Sequence, residues 1–595
     1  MSNFYNRFRS AAQRLPGQVA IELQKQFGPR EAYTYAELRI QAEAVAWWLG
    51  LHHGPGIHCA ILAGNGPRWV AAYLGILSAG CVAVPLDTAL NAGEIRKLLA
   101  ESDASLLFVE PRFLASAGEA CRSTGIRIVP TETAGEAGFA AGSVTLEEIF
   151  AGGSLLAAPA AVERSPDDLA VILYTSGTTH DPKGVMLTHG NLSAEAGSVF
   201  AFLKVGEKDV VLGVLPLFHA LAQVANLLVP LTAGARVVYL ESLNTRELMR
   251  ALGERGITLF CCVPQFFYLI HRRVFQEVER RGAAAATLFR AVLGFCRAAR
   301  LLRLNLGRMI FRSAHAAMGP RMRYLISGGS RFDPELARDL DALGFEILQA
   351  YGLTESTGGA VCTPPRHNVL GSVGRPLPGV GVKLEGAPGS DGEILLSGGI
   401  IMRGYYKRPA ATAEAVRDGW LYTGDLGHLD RGGNLFITGR KKEIIVLSSG
   451  KNIYPEEIES HYEKSPWIKE ACVLGIKGSP NEPAAERLHA ILVPDFELLR
   501  ARKVANIGEM IRFDVESLSA QLPPGKRVLS YEIRQDDLPR TTTRKLKRFA
   551  IQARAADHST SEPAPPLRTT TADDVRWLEE PEVAAAMEVM QKASK

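Results

Sequence analysis

In the stretch YTSGTTHDPKGVMLTH, Tyr174 to His189, a run of small and hydroxyl residues is followed by a lysine and then by apolar residues. Thr175, Ser176, Gly177, Thr178 and Thr179 offer hydroxyls and unhindered backbone N–H groups, the donors a polyphosphate needs, and Lys183 adds a point charge. Leu169 to Leu173 lead into the run as a buried strand would. The lysine is followed by Gly184 and Val185 rather than by a serine or threonine that could hold magnesium, so this is not a Walker A loop. A phosphate cradle serving a different nucleotide chemistry is the expectation. Taken alone, a turn of this composition often does no more than connect two elements.

The elements that must position these residues read as an α/β pattern. TYAELRIQAEAVAWWLG, Thr34 to Gly50, has helical spacing behind a threonine cap, and WVAAYLGILSAG reads as a helix between the strands HCAILAG and GCVAVPLD. Strand, helix, strand in that order predicts a parallel sheet with crossover helices. After the loop the alternation resumes with RVVYL, TLFCCVP, YLISGG and FEILQAYG as strands. Several end in glycine or polar residues, and ligands of open α/β sheets bind at such carboxyl ends. From Gly371 to about Gly439 the strands are short and turn-rich, which predicts a smaller β subdomain. The expected fold class is therefore α/β. A large amino-terminal domain of several subdomains, with parallel-type sheets, covers 1–439, and a small mobile α+β domain covers 440–550. Residues 551–595, rich in Ser, Thr, Pro and Ala, read as a flexible linker with a short helical tail.

Composition narrows the partners. A net charge of +4 over 595 residues gives no global case for nucleic-acid binding. The eight cysteines are scattered without a repeated CxxC spacing, so neither a zinc site nor a disulfide framework is expected, and a reducing cytoplasm fits. The amino terminus has arginines but no apolar h-region, which argues against a signal peptide. Val210 to Ala235 carries no Asp, Glu, Lys or Arg and is long enough to cross a bilayer, but Pro216, His219, Gln223, Asn226 and Pro230 interrupt it. A buried strand, turn and helix are expected there instead.

Further motifs stand in order around the loop. YGLTES, Tyr351 to Ser356, combines a planar ring, which has a face for a base, with a carboxylate that together with phosphate oxygens suits a hard cation. With SGGS at Ser327 to Ser330, YTGD at Tyr422 to Asp425 and LPRTTTRKLKR at Leu538 to Arg548, the chain resembles the AMP-forming adenylating enzymes over about residues 30 to 550. That superfamily includes acyl-CoA synthetases, luciferases and the adenylation domains of peptide synthetases. The resemblance implies ATP, Mg²⁺ and coenzyme A as cofactors. It implies that Tyr351 and Gly352 meet adenine, that Thr354 meets the phosphates, and that Glu355 holds the metal. Gly328 and Gly329 would pass close to adenine and the acyl group, where glycine permits close backbone approach. Asp425, joined by Arg440, would accept the ribose hydroxyls, and His219 in PLFHALAQ would sit near the substrate carboxylate. On its own, His219 reads as a buried, satisfied histidine. Lys545 would bridge the carboxylate and the α-phosphate during adenylation. The rival reading of that motif is a solvated basic patch formed by Arg540, Arg544, Lys545, Lys547 and Arg548. The small domain would then turn about Lys442 and present Ser448, Ser449 and Gly450 to a pantetheine channel.

The stretch from Ala283 to Met322 has no acidic neighbour from Gly282 through Arg331. Leu288, Val292, Phe295, Ala299 and Leu302 fall on one helical face, with Arg290, Arg297 and Arg300 opposite. Such a helix suits an anionic membrane surface, or equally a helix packed on the domain with snorkelling arginines. This insertion is similar to bacterial long-chain fatty acyl-CoA synthetases. The resulting expectation is ATP-dependent activation of a long-chain fatty acid to acyl-AMP with release of pyrophosphate, then transfer to coenzyme A. The protein would be cytoplasmic, with peripheral membrane contact through 284–318. Two rivals stay open. One hands the acyl group to an acyl carrier protein; the other is a catalytically weak nucleotide- or lipid-binding relative. The second is motivated by His180 and Arg544, which stand where the family usually has glycine.

Overall fold

The computed structural model describes residues 3–133, 144–153, 161–175, 182–302, 304–365, 367–387, 391–447, 451–476, 487–502, 504, 506–540, 546–548 and 550–552. The chain divides into a large compact unit running through Lys441 and a small one beginning at Lys442. The division lies two residues beyond the sequence expectation because both intervening side chains are tied into the large unit. Arg440 pairs with Asp425, and the Lys441 ammonium donates to Glu393 at 2.9 Å.

Two sheets form the centre of the large unit. In the first, the strands Leu169–Thr175, Val82–Pro85, His58–Leu62, Ala104–Val109 and Arg127–Pro130 run parallel in that order. Lys183–Thr188 then adds antiparallel to Leu169–Thr175, and Gly404–Tyr405 antiparallel to Lys183–Thr188. The second has nine strands. Ile347–Tyr351, Tyr324–Gly328, Leu259–Cys262, Val210–Gly213, Arg236–Leu240 and Val19–Gln24 are parallel, with short antiparallel strands at both edges. The helix Tyr35–His52 begins where expected: Thr34 and Glu37 form a reciprocal capping box. Gly392–Gly398, Trp420–Leu429 and Leu435–Arg440 belong to a five-stranded antiparallel sheet, the β subdomain.

Val210 to Ala235 folds as a strand followed by short helical segments, of which Val224–Leu228 has π geometry. No helix among the described residues is long and apolar enough to cross a membrane. The helix Ala283–Leu301 forms, but its faces differ from the sequence expectation. Leu293, Cys296 and Ala299 are its buried face, whereas Leu288, Phe295 and Leu302 are exposed. Arg297 and Arg300 are ion-paired to Asp339 and Asp341 of the helix Pro334–Ala342 and its C-terminal neighbourhood, so they face the domain. Acidic partners supplied by a distant helix decide which side turns inward, and spacing within one helix does not report them.

In the small unit, Ile468–Ile476, Arg487–Pro494 and Val528–Ile533 form a sheet with the helices Pro455–Tyr462 and Ile507–Ala520. A second apolar cluster joins Leu538, Leu546 and Ile551 to Cys472, Leu474, Ile491 and Val493 of that sheet.

Candidate functional site

Two groups of side chains gather around the end of the strand Ile347–Tyr351. In the first, the Tyr351 hydroxyl donates to Asp425 Oδ2 at 2.8 Å, and Arg440 Nε pairs with Asp425 Oδ1 at 2.9 Å. Asp425 and Arg440 are register partners on neighbouring strands, which brings their side chains together. Asp425 is 4% exposed, and its own N–H donates to Thr423 Oγ1 at 3.1 Å. Burial, and then the charge of Asp425, push the Tyr351 phenol well above its ordinary pKa, so it remains a donor.

The second group is centred on Glu355 in the short turn Thr354–Ser356. Tyr405 donates its hydroxyl to Glu355 Oε1 at 2.8 Å, and the Met402 N–H donates to the Glu355 carbonyl at 2.9 Å. Lys183 Nζ lies 4.7 Å from the centre of the Tyr405 ring, a cation–π distance. Burial and then the Glu355 charge raise the Tyr405 pKa, so this phenol also keeps its proton. Lys183, Tyr405 and Glu355 thus form one chain of contacts: cation, ring, hydroxyl, carboxylate. Thr175 faces Lys183 across the hairpin, its hydroxyl 3.5 Å from the Lys183 carbonyl.

The glycines explain how closely the backbones approach. A Cβ on Gly328 would stand 3.0 Å from Leu221 Cδ2 and 3.2 Å from the Ala350 carbonyl oxygen. Gly358, at φ +112°, would place one 3.0 Å from the carbonyl carbon of Ala220. Through that contact the residue after His219 touches the turn that follows Glu355. The half-buried His219 ring lies 4.5 Å from that of Phe218. Gly329 has φ +86°, and Gly352 meets the backbone of Gly358 and Gly359.

The structure therefore brings together Tyr351, Asp425 and Arg440, and separately Thr175, Lys183 and Glu355, with Thr354, Gly352, Gly328, Gly329 and His219 around the same strand ends. Lys442 is exposed at the start of the small unit. Ser176, Gly177, Thr178, Thr179 and His180 lie outside the described residues, as do Ser448, Ser449, Gly450, Arg544, Lys545 and the linker and tail. The basic-patch reading of the carboxy-terminal motif fails for two members. Arg540 pairs with Glu470 at 2.8 Å, and Arg548 with Glu443 at 3.1 Å and with both oxygens of Glu459. These arginines are 17% and 12% exposed, because acidic side chains of the small unit draw them in.

Two residues escaped the sequence reading. Tyr405 sits in RGYYKRP, where one aromatic in a short strand carries no signal of its own. Only the pairing of Gly404–Tyr405 with Lys183–Thr188 puts its hydroxyl beside Glu355. Tyr405→Phe removes a hydrogen bond to a charged group, worth about 2 kcal/mol, and is expected to lower the unfolding free energy of the large unit by about that amount in urea titration. Glu195, in the helix His189–Phe202, is fully buried, and neither carboxyl oxygen makes a hydrogen bond of normal geometry. One oxygen lies 2.6 Å from where a Cβ on Gly359 would stand. Burial pushes this acid well above the usual carboxylate range, and the approach of the Gly359 N–H offsets that only in part.

The chain is similar to several known proteins. The family model for AMP-binding enzymes matches residues 8–406. A long-chain-fatty-acid–CoA ligase, FadD15, of Mycobacterium bovis is 32% identical over 459 residues, spanning 74% of this chain and 75% of the relative. A sulfoacetate–CoA ligase of Cupriavidus necator is 31% identical, spanning 79% of this chain and 86% of the relative. The solved structure of o-succinylbenzoate CoA synthetase from Bacillus subtilis, in complex with its acyl-adenylate intermediate, is similar with a TM-score of 0.71. It is 25% identical and covers 95% of this chain and 99% of that one. A family match across two thirds of the chain, with relatives similar over three quarters of it, leads to one conclusion: this chain belongs to the AMP-binding enzyme family.

Proposed function

We propose that the protein is an AMP-forming acid–thiol ligase that joins a long-chain fatty acid to coenzyme A, taking the acid from a membrane surface through 284–318. The observation that carries the reading is the join between the two side-chain groups. Tyr351, held by Asp425, stands four residues from Glu355, which is held by Tyr405 beside Lys183. A nucleoside and its phosphates need that order of ring, hydroxyl acceptor, carboxylate and cation. Tyr351 offers a face to adenine, and Asp425 accepts from the ribose hydroxyls. Lys183 and the 175–179 loop hold the β- and γ-phosphates. A single carboxylate, Glu355, fits Mg²⁺, which takes one or two protein carboxylates and completes its shell with phosphate oxygens and water. When bound, the ion neutralises phosphate charge.

In the first step the substrate carboxylate oxygen attacks the α-phosphorus and pyrophosphate leaves, with Lys545 set between the repelling anions. In the second the coenzyme A thiolate attacks the acyl carbon, the thioester forms and AMP leaves. Lys442 is the pivot between the steps, with Ser448, Ser449 and Gly450 on the thiol side. The long acyl chain is supported by the relatives named as long-chain ligases and by the apolar insertion; the sulfoacetate enzyme shows that the family also takes small acids. The test is pyrophosphate release by purified protein with ATP, Mg²⁺ and palmitate, octanoate or sulfoacetate, each with and without coenzyme A. Palmitoyl-CoA and AMP in equal amounts are expected. Palmitoyl-AMP that passes only to a carrier protein would reassign the acceptor, sulfoacetate turnover alone would reassign the acid, and no pyrophosphate with any acid would leave a binding protein.

A further inference from the structure

Away from the strand ends that carry Tyr351 and Glu355, basic side chains crowd a cleft of about 140 Å³ beside the end of the strand Val19–Gln24 and the helix Thr245–Glu254. Gln24, Lys25, Arg30, Arg250, Glu254 and Arg255 line it. In the nine-stranded sheet, Val19–Gln24 stands five positions from Ile347–Tyr351. At about 4.8 Å per position the two strands are about 24 Å apart.

The cations here outrun their acids. Arg30, Arg236 and Arg255 all turn to one carboxylate, the fully buried Glu22, at 3.3, 3.5 and 3.3 Å. Lys25 has Glu31 and Arg250 has Glu247, while Glu254 is largely exposed and reaches Arg255 only at 3.9 Å. Glu241 adds a negative charge near Lys25, and Arg321 a positive one near Arg236. Burial lowers the Arg236 pKa, Glu22 offsets this in part, and the charges of Arg30, Arg255 and Arg321 lower it again. Two donors are also stranded: Nε of Arg236 and Nε of Arg250 are buried with no hydrogen-bond partner among the described residues. An ion network that served stability alone would match its cations and satisfy its buried donors.

An anion makes good both deficits. A carboxylate brings one charge and two oxygens in a plane, whereas a phosphoryl group brings up to two charges and three acceptor oxygens. Those oxygens suit guanidinium forks that converge from separate elements, here the segment after Gln24 and the end of the helix Thr245–Glu254. The space is roughly ten times what seats one water, enough for a tetrahedral oxyanion.

We infer that the cleft between Lys25, Arg30, Arg250 and Arg255 binds a phosphoryl dianion, either free phosphate or the end of a small phosphate ester. This site is separate from the nucleotide site proposed above, and it does not depend on which acid or acceptor the ligase uses.

The experiment is calorimetric titration of the full-length protein with inorganic phosphate, with ribose 5-phosphate and with acetate, all at one ionic strength. Saturation by a phosphate compound with a Kd of about 1 mM or tighter is expected, and none by acetate. Tighter binding of the ester names an ester as the source; equal or weaker binding names free phosphate. Arg250→Gln and Arg255→Gln should each weaken the binding about tenfold. Glu254→Gln, which removes an exposed acid from the lining, should tighten it, a gain that damage to the fold cannot mimic. Lys183→Ala, which alters the nucleotide site alone, should leave the titration in place. No saturation by either phosphate compound, or acetate bound as well as phosphate, would overturn the inference. So would a titration lost in Lys183→Ala and kept in Arg250→Gln and Arg255→Gln, since the anion would then sit at the nucleotide site. With no ATP or acid present, failure to bind phosphate leaves the ligase reading standing, and failure to use palmitate leaves the phosphate result standing.

Discussion

Lys545→Ala is expected to remove adenylate formation, by on the order of 10²- to 10³-fold, while a supplied acyl adenylate is still converted to thioester by coenzyme A. The asymmetry follows from charge. A carboxylate approaching a triphosphate meets mounting repulsion, and an ammonium aimed between them acts where the barrier is highest. The second step has a neutral acyl carbon as its electrophile, so it does not need that ammonium. Arg540 and Leu546 form an antiparallel bridge, and the Lys547 N–H donates to the Pro539 carbonyl at 2.9 Å. Leu538, Leu546 and Ile551 pack on the sheet from both flanks. Pyrophosphate exchange measures the first step and thioester formation from synthetic acyl adenylate the second. Equal loss of both would remove the role assigned to Lys545.

Arg548→Ala should be the most destabilising single change in the small unit. Its guanidinium binds both oxygens of Glu459 and one of Glu443, all three side chains being largely buried. Glu459 also accepts the Val473 N–H at 2.7 Å, so it cannot turn out to solvent without breaking the sheet's contact with its helix. Removing the arginine leaves two buried carboxylates without their cation, a loss of about 3–5 kcal/mol. The triple variant Arg548→Met, Glu459→Gln, Glu443→Gln buries no unpaired charge at that point and is expected to recover most of the loss. Urea unfolding read from the fluorescence of Trp467, the tryptophan among the small unit's described residues, follows both variants. A midpoint unmoved in Arg548→Ala would mean that the ion network contributes nothing to the unit.

Much of this architecture is legible in the sequence because local chemistry and tertiary role coincide. Thr34 caps its helix wherever that helix goes, and Tyr351, Thr354 and Glu355 share a six-residue motif whose chemistry depends little on what surrounds it. What the sequence hides are partnerships across hundreds of residues. Tyr405 meets Glu355 and Lys183 only through a two-residue strand, and nothing nearby marks which of Tyr405 and Tyr406 faces the site. Arg297 and Arg300 look like a solvent face until the helix carrying Asp339 is in place. Arg540 and Arg548 look like a basic patch until Glu443, Glu459 and Glu470 close on them. In each case a charged side chain is misread because burial of a charge is decided by its partner, and the partner is far along the chain.

Glu195, enclosed beneath the Gly358–Gly359 turn, makes the large unit a consumer of protons as it folds. In the unfolded chain this acid ionises around 4.5; in the folded unit it keeps its proton to a well higher pH. Between those two values the native state holds one proton that the unfolded state has released, so the cost of burying this side chain grows as pH rises. Each pH unit within that window removes about 1.4 kcal/mol from the unit's stability. Urea midpoints that fall as pH rises above about 4.5 in the wild type, and fall less in Glu195→Gln, would register it. At the nucleotide site proposed over the neighbouring Tyr351–Ser356 turn, a bound ligand would stabilise the native state and thereby favour retention of that proton, which would couple alkaline tolerance to occupancy of the site.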